Sequence, residues 1–561
     1  MRRFTLGFHI GHDRGAALAA DGRVIAAIAE ERLDRRKHSV ADALPMLSIE
    51  YVLRLTGVEA KQISGVAFTH AGCPVLPEIE ENWRREIINT LELPGCPVFM
   101  VGHHLAHACA AFYTSPFRRA AVAVADGGGD IPNDTQCEAE SYYAASDDGV
   151  FLVAARYQNN TVKYGTPLAV ERFDYMPQSI RDSQISVGRK YQQITQMLGF
   201  KFGEAGKTMG LAPYGEPFLP FRPPVPDFDF NLRYGDYLDH LDEAQARSGL
   251  AYSTFFRQNR ARIAFDIQDF ISATLTSLLR HLRRTSGQRA VCMAGGVFLN
   301  CVANARIVRE SGFDDVYIVP PAGDDGQAIG AALYAYHALE PKRSALTRFS
   351  AFLGRAYDDD EAIEQARLFG HPYRVFDDEA ELASELAALL ADGKTAGVCR
   401  GRSEVGPRAL GHRSILASPL IATMKDHINQ HIKYREDFRP FAPLVKADMA
   451  TRFFDLPAPS PHMLLTAPVR DEHRAHLLGV THVDGSARIQ TLEQDNDPFL
   501  YAVLDRFEAL TGYPVLVNTS FNTGGEPIVE TPRDAFLTFR QTALDVLVFN
   551  RTLVWKKSAG S

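Results

Sequence analysis

Three histidines fall within five positions of the stretch VGHHLAHACA, residues 101–110. His103 and His107 stand four apart, so on a helix both imidazoles face the same side. A metal bound by two helical histidines needs that spacing and usually takes carboxylates as well. Asp126 ends the apolar run AAVAVAD just before three glycines, and Asp324 sits in a second loop, PPAGDDGQAIG. Both are candidates to complete a site with His103 and His107. The competing reading is a partly buried helix face that holds nothing, and the sequence alone does not show that the four residues converge.

Two glycine-bearing stretches invite a nucleotide. MAGGVFLN puts Gly295 and Gly296, followed by Asn300, between an apolar run and a helix start. Glycines there let a backbone approach a ligand closely, and a helix N-terminus favours anions. GEAGKTMGLAPYG contains Lys207, but a strict phosphate loop needs glycine at position 201, which is Lys201. Lys207 stays a candidate nucleotide contact in some other fold, with a glycine-rich helix boundary as the alternative.

The last third of the chain is denser in cations. GRSEVGPRALGHRSILASP carries Arg402, Arg408 and Arg413; IKYREDFRPFAP carries Lys433, Arg435 and Arg439; Arg488 follows in SARIQT. VNTSFNTGGEPIVETP adds Asn518, Thr519 and Ser520 at the end of an apolar run. Guanidinium forks with short hydroxyl and amide side chains suit a phosphate or carboxyl-phosphate. Any one of these arginines taken singly reads as a surface charge or a structural ion pair. Their placement in glycine- and proline-punctuated loops favours the site.

The elements that position these residues can be read from periodicity. FTLGFHI is a strand, and GAALAA and RVIAAIAEE flank a tight Asp21-Gly22 turn. CPVFMV, AAVAVA, RAVCMA, DDVYIV, KTAGVCR and YPVLVNTS are further buried strands. HHLAHACAAFYTS, DDEAIEQARLF and EAELASELAALLADG have helical spacing, and no internal repeat is visible. Strand–glycine–helix alternation up to about residue 340 predicts an α/β domain whose strand ends carry ligands. The polar, aperiodic segment 340–350 is a linker, giving domains at 1–343 and 350–561, and the proline-rich 216–227 is an irregular surface crossing.

Length and composition narrow the function classes. The chain has 561 residues, more than a single core sustains. A net charge of −8 and the lack of an arginine- or lysine-rich stripe argue against nucleic acid. Seven cysteines with no C-x-x-C argue against a disulfide framework or structural zinc and favour a cytoplasmic location. The N-terminus has no apolar signal segment, and no apolar run of 18 residues occurs, so no membrane span is expected.

The blocks GHDRGAAL, AEERLDRRKH, HHLAHA, AGKTMGLAPYG, GGVFLN, GPRALGHRSILASP, YREDFRPFAP and VNTSFNTGGEPIVETP occur in that order. Together they resemble the O-carbamoyltransferase family labelled NodU/CmcH, nearly end to end. The resemblance implies an N-terminal actin/hexokinase-like (ASKHA) domain, similar to tRNA-threonylcarbamoyl transferases, and a C-terminal YrdC-like α/β domain. It implies ATP and carbamoyl phosphate as co-substrates, a carbamoyl-adenylate intermediate made in the C-terminal domain, and transfer to a hydroxyl of a small natural-product acceptor. It assigns an Fe2+-like divalent metal to His103, His107, Asp126 and Asp324, with Mg2+ accompanying ATP. Phosphate and carbamoyl handling fall to Arg408, Lys433, Arg439, Arg488, Asn518 and Ser520, and the general base to His12. His412 stands where the family pattern leads one to expect asparagine. The expected partners are the small acceptor and a second copy of the chain in a homodimer, without nucleic acid or membrane. Two other readings stay open: a tRNA threonylcarbamoyl-type transferase and a non-catalytic actin-like ATP-binding protein.

Overall fold

The computed structural model describes residues 2–71, 77–131, 136–159, 185–220, 230–340 and 349–557. Most of the expected 340–350 linker and part of the 216–227 crossing lie outside the described residues. The chain divides into two compact units: residues 1–28 with 40–349, and residues 29–39 with 350–561. The division differs in one segment from a single cut near 343–350, because residues 29–39 pack with the second unit. Arg32 donates to Gly406 O at 3.1 Å, and Arg35 donates to Ile528 O at 2.7 Å and Pro527 O at 3.0 Å. A short-range sequence reading could not detect those bonds, since their partners are more than 370 positions away.

The first unit is built on two five-stranded sheets. One contains β1 (Phe4–Ile10), β2 (Gly15–Ala20), β3 (Arg23–Ala29), β4 (Ile63–His70) and β5 (Val98–Met100), in the order β3-β2-β1-β4-β5. The other contains β6 (Ala120–Ala125), β7 (Gln136–Ser146), β8 (Gly149–Asn159), β9 (Ala290–Ala294) and β10 (Asp315–Ile318), in the order β10-β9-β6-β7-β8. Position by position the second sheet repeats the first. Its leading strand pairs antiparallel with the next and parallel with the fourth, and the fourth pairs parallel with the fifth. Such a duplicated order is the two-lobed actin/hexokinase-like architecture, within a mixed α/β chain. The turn between β2 and β3 has Asp21 at φ 51° and Gly22 at φ 75°, the two left-handed positions that an Asp-Gly hairpin supplies.

Small residues let the central layers touch. The helix His103–Thr114 and the helix Gln327–Leu339 are alanine-rich and buried along most of their length. A Cβ on Gly330 would lie 1.9 Å from Ala106 O, and one on Gly7 would lie 2.2 Å from Ala328 O. Glycine is therefore required at both points for the helices and β1 to pack at backbone contact.

The second unit centres on a mixed nine-stranded sheet among the described residues, with β11 (Phe352–Ala356) and β14 (Arg402–Glu404) pairing apart from it. The sheet contains β12 (Tyr373–Val375), β13 (Ala396–Cys399), β15 (Arg413–Ala417), β16 (Ala442–Lys446), β17 (Leu465–Pro468), β18 (Ser486–Leu492), β19 (Val515–Ser520), β20 (Val546–Val548) and β21 (Thr552–Trp555). Side chains alternate between two cores. Val515, Val517, Ile489 and Val445 enter one, while Leu516, Leu492, Leu444 and Leu416 enter the other. The latter core is closed by the helices Glu379–Ala391 and Pro498–Thr511, the second capped by Asp497, which accepts from Leu500 N at 3.0 Å. No described helix is long and apolar enough to cross a membrane.

Candidate metal centre and anion site

In the first unit the structure brings His103, His107, Asp126 and Asp324 to one point. Asp126 follows the buried β6, the histidines lie in the first two turns of the His103–Thr114 helix, and Asp324 opens a turn before the Gln327–Leu339 helix. His103 Nε2 is 3.2 Å from Asp126 Oδ2 and 3.3 Å from Asp324 Oδ1; His107 Nε2 is 3.2 Å from each. One donor atom from each residue lies within 4.8 Å of every other. Ligands at about 2.0–2.1 Å from a tetrahedral cation sit about 3.3 Å apart, so the spacing fits a first-row divalent ion. Two carboxylates and two imidazoles also supply a suitable charge and softness.

Each carboxylate gives one oxygen to this point and anchors the other. Asp126 Oδ1 accepts from Gly127 N at 2.7 Å and Gly296 N at 3.3 Å. Asp324 Oδ2 is 3.3 Å from His12 Nδ1 and 3.9 Å from His9 Nε2. The electrostatics follow. Burial opposes charge on His103 and His107, yet Asp324 and Asp126 raise both above the usual histidine range. Burial and mutual repulsion would lift the aspartates, but the histidines hold both below the ordinary carboxylate value. Burial also opposes charge on His12, but Asp324 and Asp13 outweigh it and raise the ring to about 9.

Several supporting residues were not singled out in the sequence. His9 is fully buried, accepts or donates to Thr69 Oγ1 at 2.6 Å, and is pushed down to about 3 by burial. Asp130 accepts from His103 N at 2.8 Å and so caps the histidine helix from another loop. Ser186 Oγ and Gln158 Nε2 both donate to Gly127 O, at 2.8 and 3.0 Å, fixing the loop that carries Asp126. His9 shares the motif HIGHD with His12, which is the one local signal available. The others are set by distant pairings. His104 turns away from the four-residue point, with Nδ1 2.7 Å from Ser141 Oγ.

Gly295 has φ 100°, and a Cβ there would lie 2.1 Å from Ala125 O, so the pair brings two strand ends together beside Asp126. Asn300 caps the helix Cys301–Glu310, accepting from Ala303 N at 3.1 Å, and pairs with the Gln268 amide. Lys207 lies in the helix Ala205–Leu211, 2.7 Å from Glu204 Oε1.

In the second unit Lys433, Arg435, Arg439 and Arg488 form a positive cluster. Lys433 Nζ donates to Ser520 O (2.7 Å), Ser520 Oγ (3.1 Å), Asn522 O (2.8 Å) and Asn522 Oδ1 (2.5 Å). Arg435 Nε donates to Asn429 Oδ1 at 2.7 Å, and its guanidinium lies 4.5 Å from the Phe441 ring centre. Burial first, then the neighbouring cations, pull Lys433 and Arg435 well below their ordinary values. An arginine does not give up its proton in a protein. The clustered cations repel one another, and Glu526 beside Lys433 and Glu436 beside Arg435 offset part of that charge.

Arg408 rides the loop between β14 and β15, which is wrapped around one carboxylate. Glu404 Oε1 accepts from Leu410 N (2.8 Å), His412 N (2.8 Å) and Arg413 N (3.1 Å). Arg402 and Arg413, by contrast, spend their guanidinium hydrogens on backbone carbonyls, among them Gly354, Leu353, Glu530 and Arg355. They hold loops together. His412 stacks on Phe352 at 3.9 Å, and its Nε2 lies 3.3 Å from Asp497 Oδ2. Asn518 is fully buried on β19 and donates to Gln490 Oε1 at 2.6 Å.

Two family profiles match the chain. Residues 83–333 match the family profile described as Carbamoyltransferase N-terminus, and residues 387–556 match Carbamoyltransferase C-terminus. The chain is 35% identical to the nodulation protein NolNO of Sinorhizobium fredii over 578 aligned positions, covering 98% of this chain and 79% of that one. It is 33% identical to NolO of Bradyrhizobium diazoefficiens, covering 82% of this chain and 79% of that one. Among solved structures, full-length HypF in its phosphate- and nucleotide-bound form aligns at 15% identity and a TM-score of 0.41, covering 62% of this chain and 56% of that one. The chain belongs to the carbamoyltransferase family of the NolO and NodU nodulation proteins.

Proposed function

We propose that this carbamoyltransferase uses ATP and carbamoyl phosphate to carbamoylate a hydroxyl of a small natural product. The observation that carries the reading is the cluster of Lys433, Arg435, Arg439 and Arg488, with Lys433 buried, in the segment 387–556 that matches the carbamoyltransferase C-terminus. Such a cluster can bind carbamoyl phosphate and ATP phosphates and stabilise charge during phosphoryl substitution. There carbamoyl phosphate and water give carbamate and phosphate. A carbamate oxygen attacks the ATP α-phosphorus, pyrophosphate leaves, and carbamoyl-adenylate forms. Arg408, Lys433, Arg439, Arg488, Asn518 and Ser520 bind these groups, with Mg2+ accompanying ATP. The acceptor oxygen then bonds to the carbamoyl carbon, and AMP leaves.

The second step belongs to the first unit. His103, His107, Asp126 and Asp324 would hold a divalent ion, with Fe2+ among the metals that suit this donor set. When bound, such an ion would supply Lewis acidity. Gly295 and Gly296 lie beside Asp126, Asn300 caps the helix Cys301–Glu310, and Lys207 lies on the helix Ala205–Leu211; these residues would contact the nucleotide. His12, 42% exposed at its side chain, takes the acceptor's proton. It can do so near neutral pH only when the charge of Asp324, which lifts it toward 9, is taken up.

The test separates the two steps. Carbamoyl-phosphate-dependent exchange of pyrophosphate into ATP should be abolished in Arg488→Ala. His103→Ala should keep the exchange, lose bound metal by elemental analysis, and lose carbamoyl transfer to a panel of hydroxylated natural products read by mass. Normal exchange in Arg488→Ala, or full transfer in His103→Ala, would overturn the assignment.

A further inference from the structure

The amide of Asn518 is held in one orientation. Its Nδ2 donates to Gln490 Oε1 at 2.6 Å and to Ala409 O at 3.4 Å. Gln490 cannot turn to accommodate a flipped Asn518, because its own Nε2 donates to Leu410 O at 2.7 Å. The Leu410 carbonyl can only accept, so the relay fixes which atom of each amide is oxygen. Asn518 Oδ1 is the atom left over. It is buried and has no hydrogen-bond partner among the described residues. A buried acceptor left unpaired is costly, and so marks a place where a donor belongs.

The strand register puts this acceptor beside the cations. Gln490 and Asn518 meet across β16, where Ala442, a small residue, is the cross-strand partner of Asn518. Arg488 precedes Gln490 by two residues on β18, and Ser520, whose oxygens receive Lys433, follows Asn518 by two on β19. Residues two apart on a strand share a face. Arg488, Gln490, Asn518 and Ser520 thus share one sheet face, with Arg408 adjacent to the Ala409 carbonyl that Asn518 contacts. A carbonyl oxygen among these cations repels the oxygens of an anion and attracts an N–H.

With Asn518 among the residues already proposed to hold carbamoyl phosphate, we infer that Gln490 is the positioning residue that aims Asn518 Oδ1 at the carbamoyl NH2 and so makes this site select carbamoyl phosphate over acyl phosphates. The inference rests on the proposed function, that the cluster binds carbamoyl phosphate. Acetyl phosphate differs by a methyl in place of NH2, so it keeps the phosphate contacts and leaves Oδ1 unpaired. A site built to bond a ligand N–H typically disfavours the analogue lacking it by at least about 10-fold.

The experiment measures dissociation constants of carbamoyl phosphate, acetyl phosphate and inorganic phosphate by calorimetry on the full chain. Wild type should prefer carbamoyl over acetyl phosphate by on the order of 10–100-fold. In Gln490→Met the Asn518 amide is free to turn, and the preference should fall below about 3-fold while the constant for inorganic phosphate stays within 2-fold. Equal binding of carbamoyl and acetyl phosphate by wild type overturns the inference whether or not the variant folds, and leaves the anion site standing. A preference retained in folded Gln490→Met overturns the role of Gln490. If none of the three probes binds wild type, or Arg488→Ala binds all three unchanged, the underlying reading of the cluster falls instead.

Discussion

Replacing Glu404 with glutamine should loosen the loop that carries Arg408 without emptying the core. The change keeps an oxygen near the amides of Leu410, His412 and Arg413 but removes its charge. Hydrogen bonds to a charged acceptor contribute about 1.5–3 kcal/mol net, and neutral ones about 0.5–1.5. The loss over three bonds is therefore roughly 3 kcal/mol, and relief from burying the charge returns part of it. A net local cost of about 2 kcal/mol corresponds to roughly a 30-fold loss of hydrogen-exchange protection. That loss should be confined to residues 405–413, and the KM for carbamoyl phosphate should rise. The pH dependence has a definite sign. Burial would raise the Glu404 carboxyl, but His412, Arg413 and the loop amides pull it below its ordinary value. Its contribution is thus present above about pH 4.3 and is lost as pH falls through the depressed folded value. Glu404→Gln should flatten this acid limb. Unchanged protection across 405–413 together with an unchanged acid limb would refute the reasoning.

Two other perturbations test the first unit. Lys190 is fully buried, and burial pulls it down to about 7 despite the nearby Glu140. Because the unfolded lysine titrates near 10.4, the unfolded chain binds more protons between those values, and wild-type stability should climb with pH across that window. Lys190→Met should abolish the climb and raise stability at pH 7 or below by on the order of a few kcal/mol, measured by urea denaturation; an unaltered slope refutes it. Gly330→Val places a Cβ where Ala106 O lies at 1.9 Å, so the helices bearing His107 and following Asp324 must separate. The melting temperature and bound metal should fall together, and a variant that retains both shows that the contact is dispensable.

Alternation and spacing were enough to read the strands, the main helices and the Asp-Gly hairpin, because these are local properties of the chain. The same holds for the i, i+4 histidine pair and the run of cations after residue 400. The sequence could not show that β6–β10 repeat the order of β1–β5, since strand order is carried by packing and the two halves share no visible repeat. Nor could it assign residues 29–39 to the second unit, because Arg32 and Arg35 find their acceptors hundreds of positions away. Arg402, Arg408 and Arg413 look alike in sequence. Only folding shows that Arg402 and Arg413 are used up on backbone carbonyls while the Arg408 loop is wrapped around Glu404. The four candidate metal ligands come from three separate segments. Their residue types fixed what they could bind, and the tertiary structure decided whether they meet, because only packing brings donors 217 positions apart to 3.2 Å.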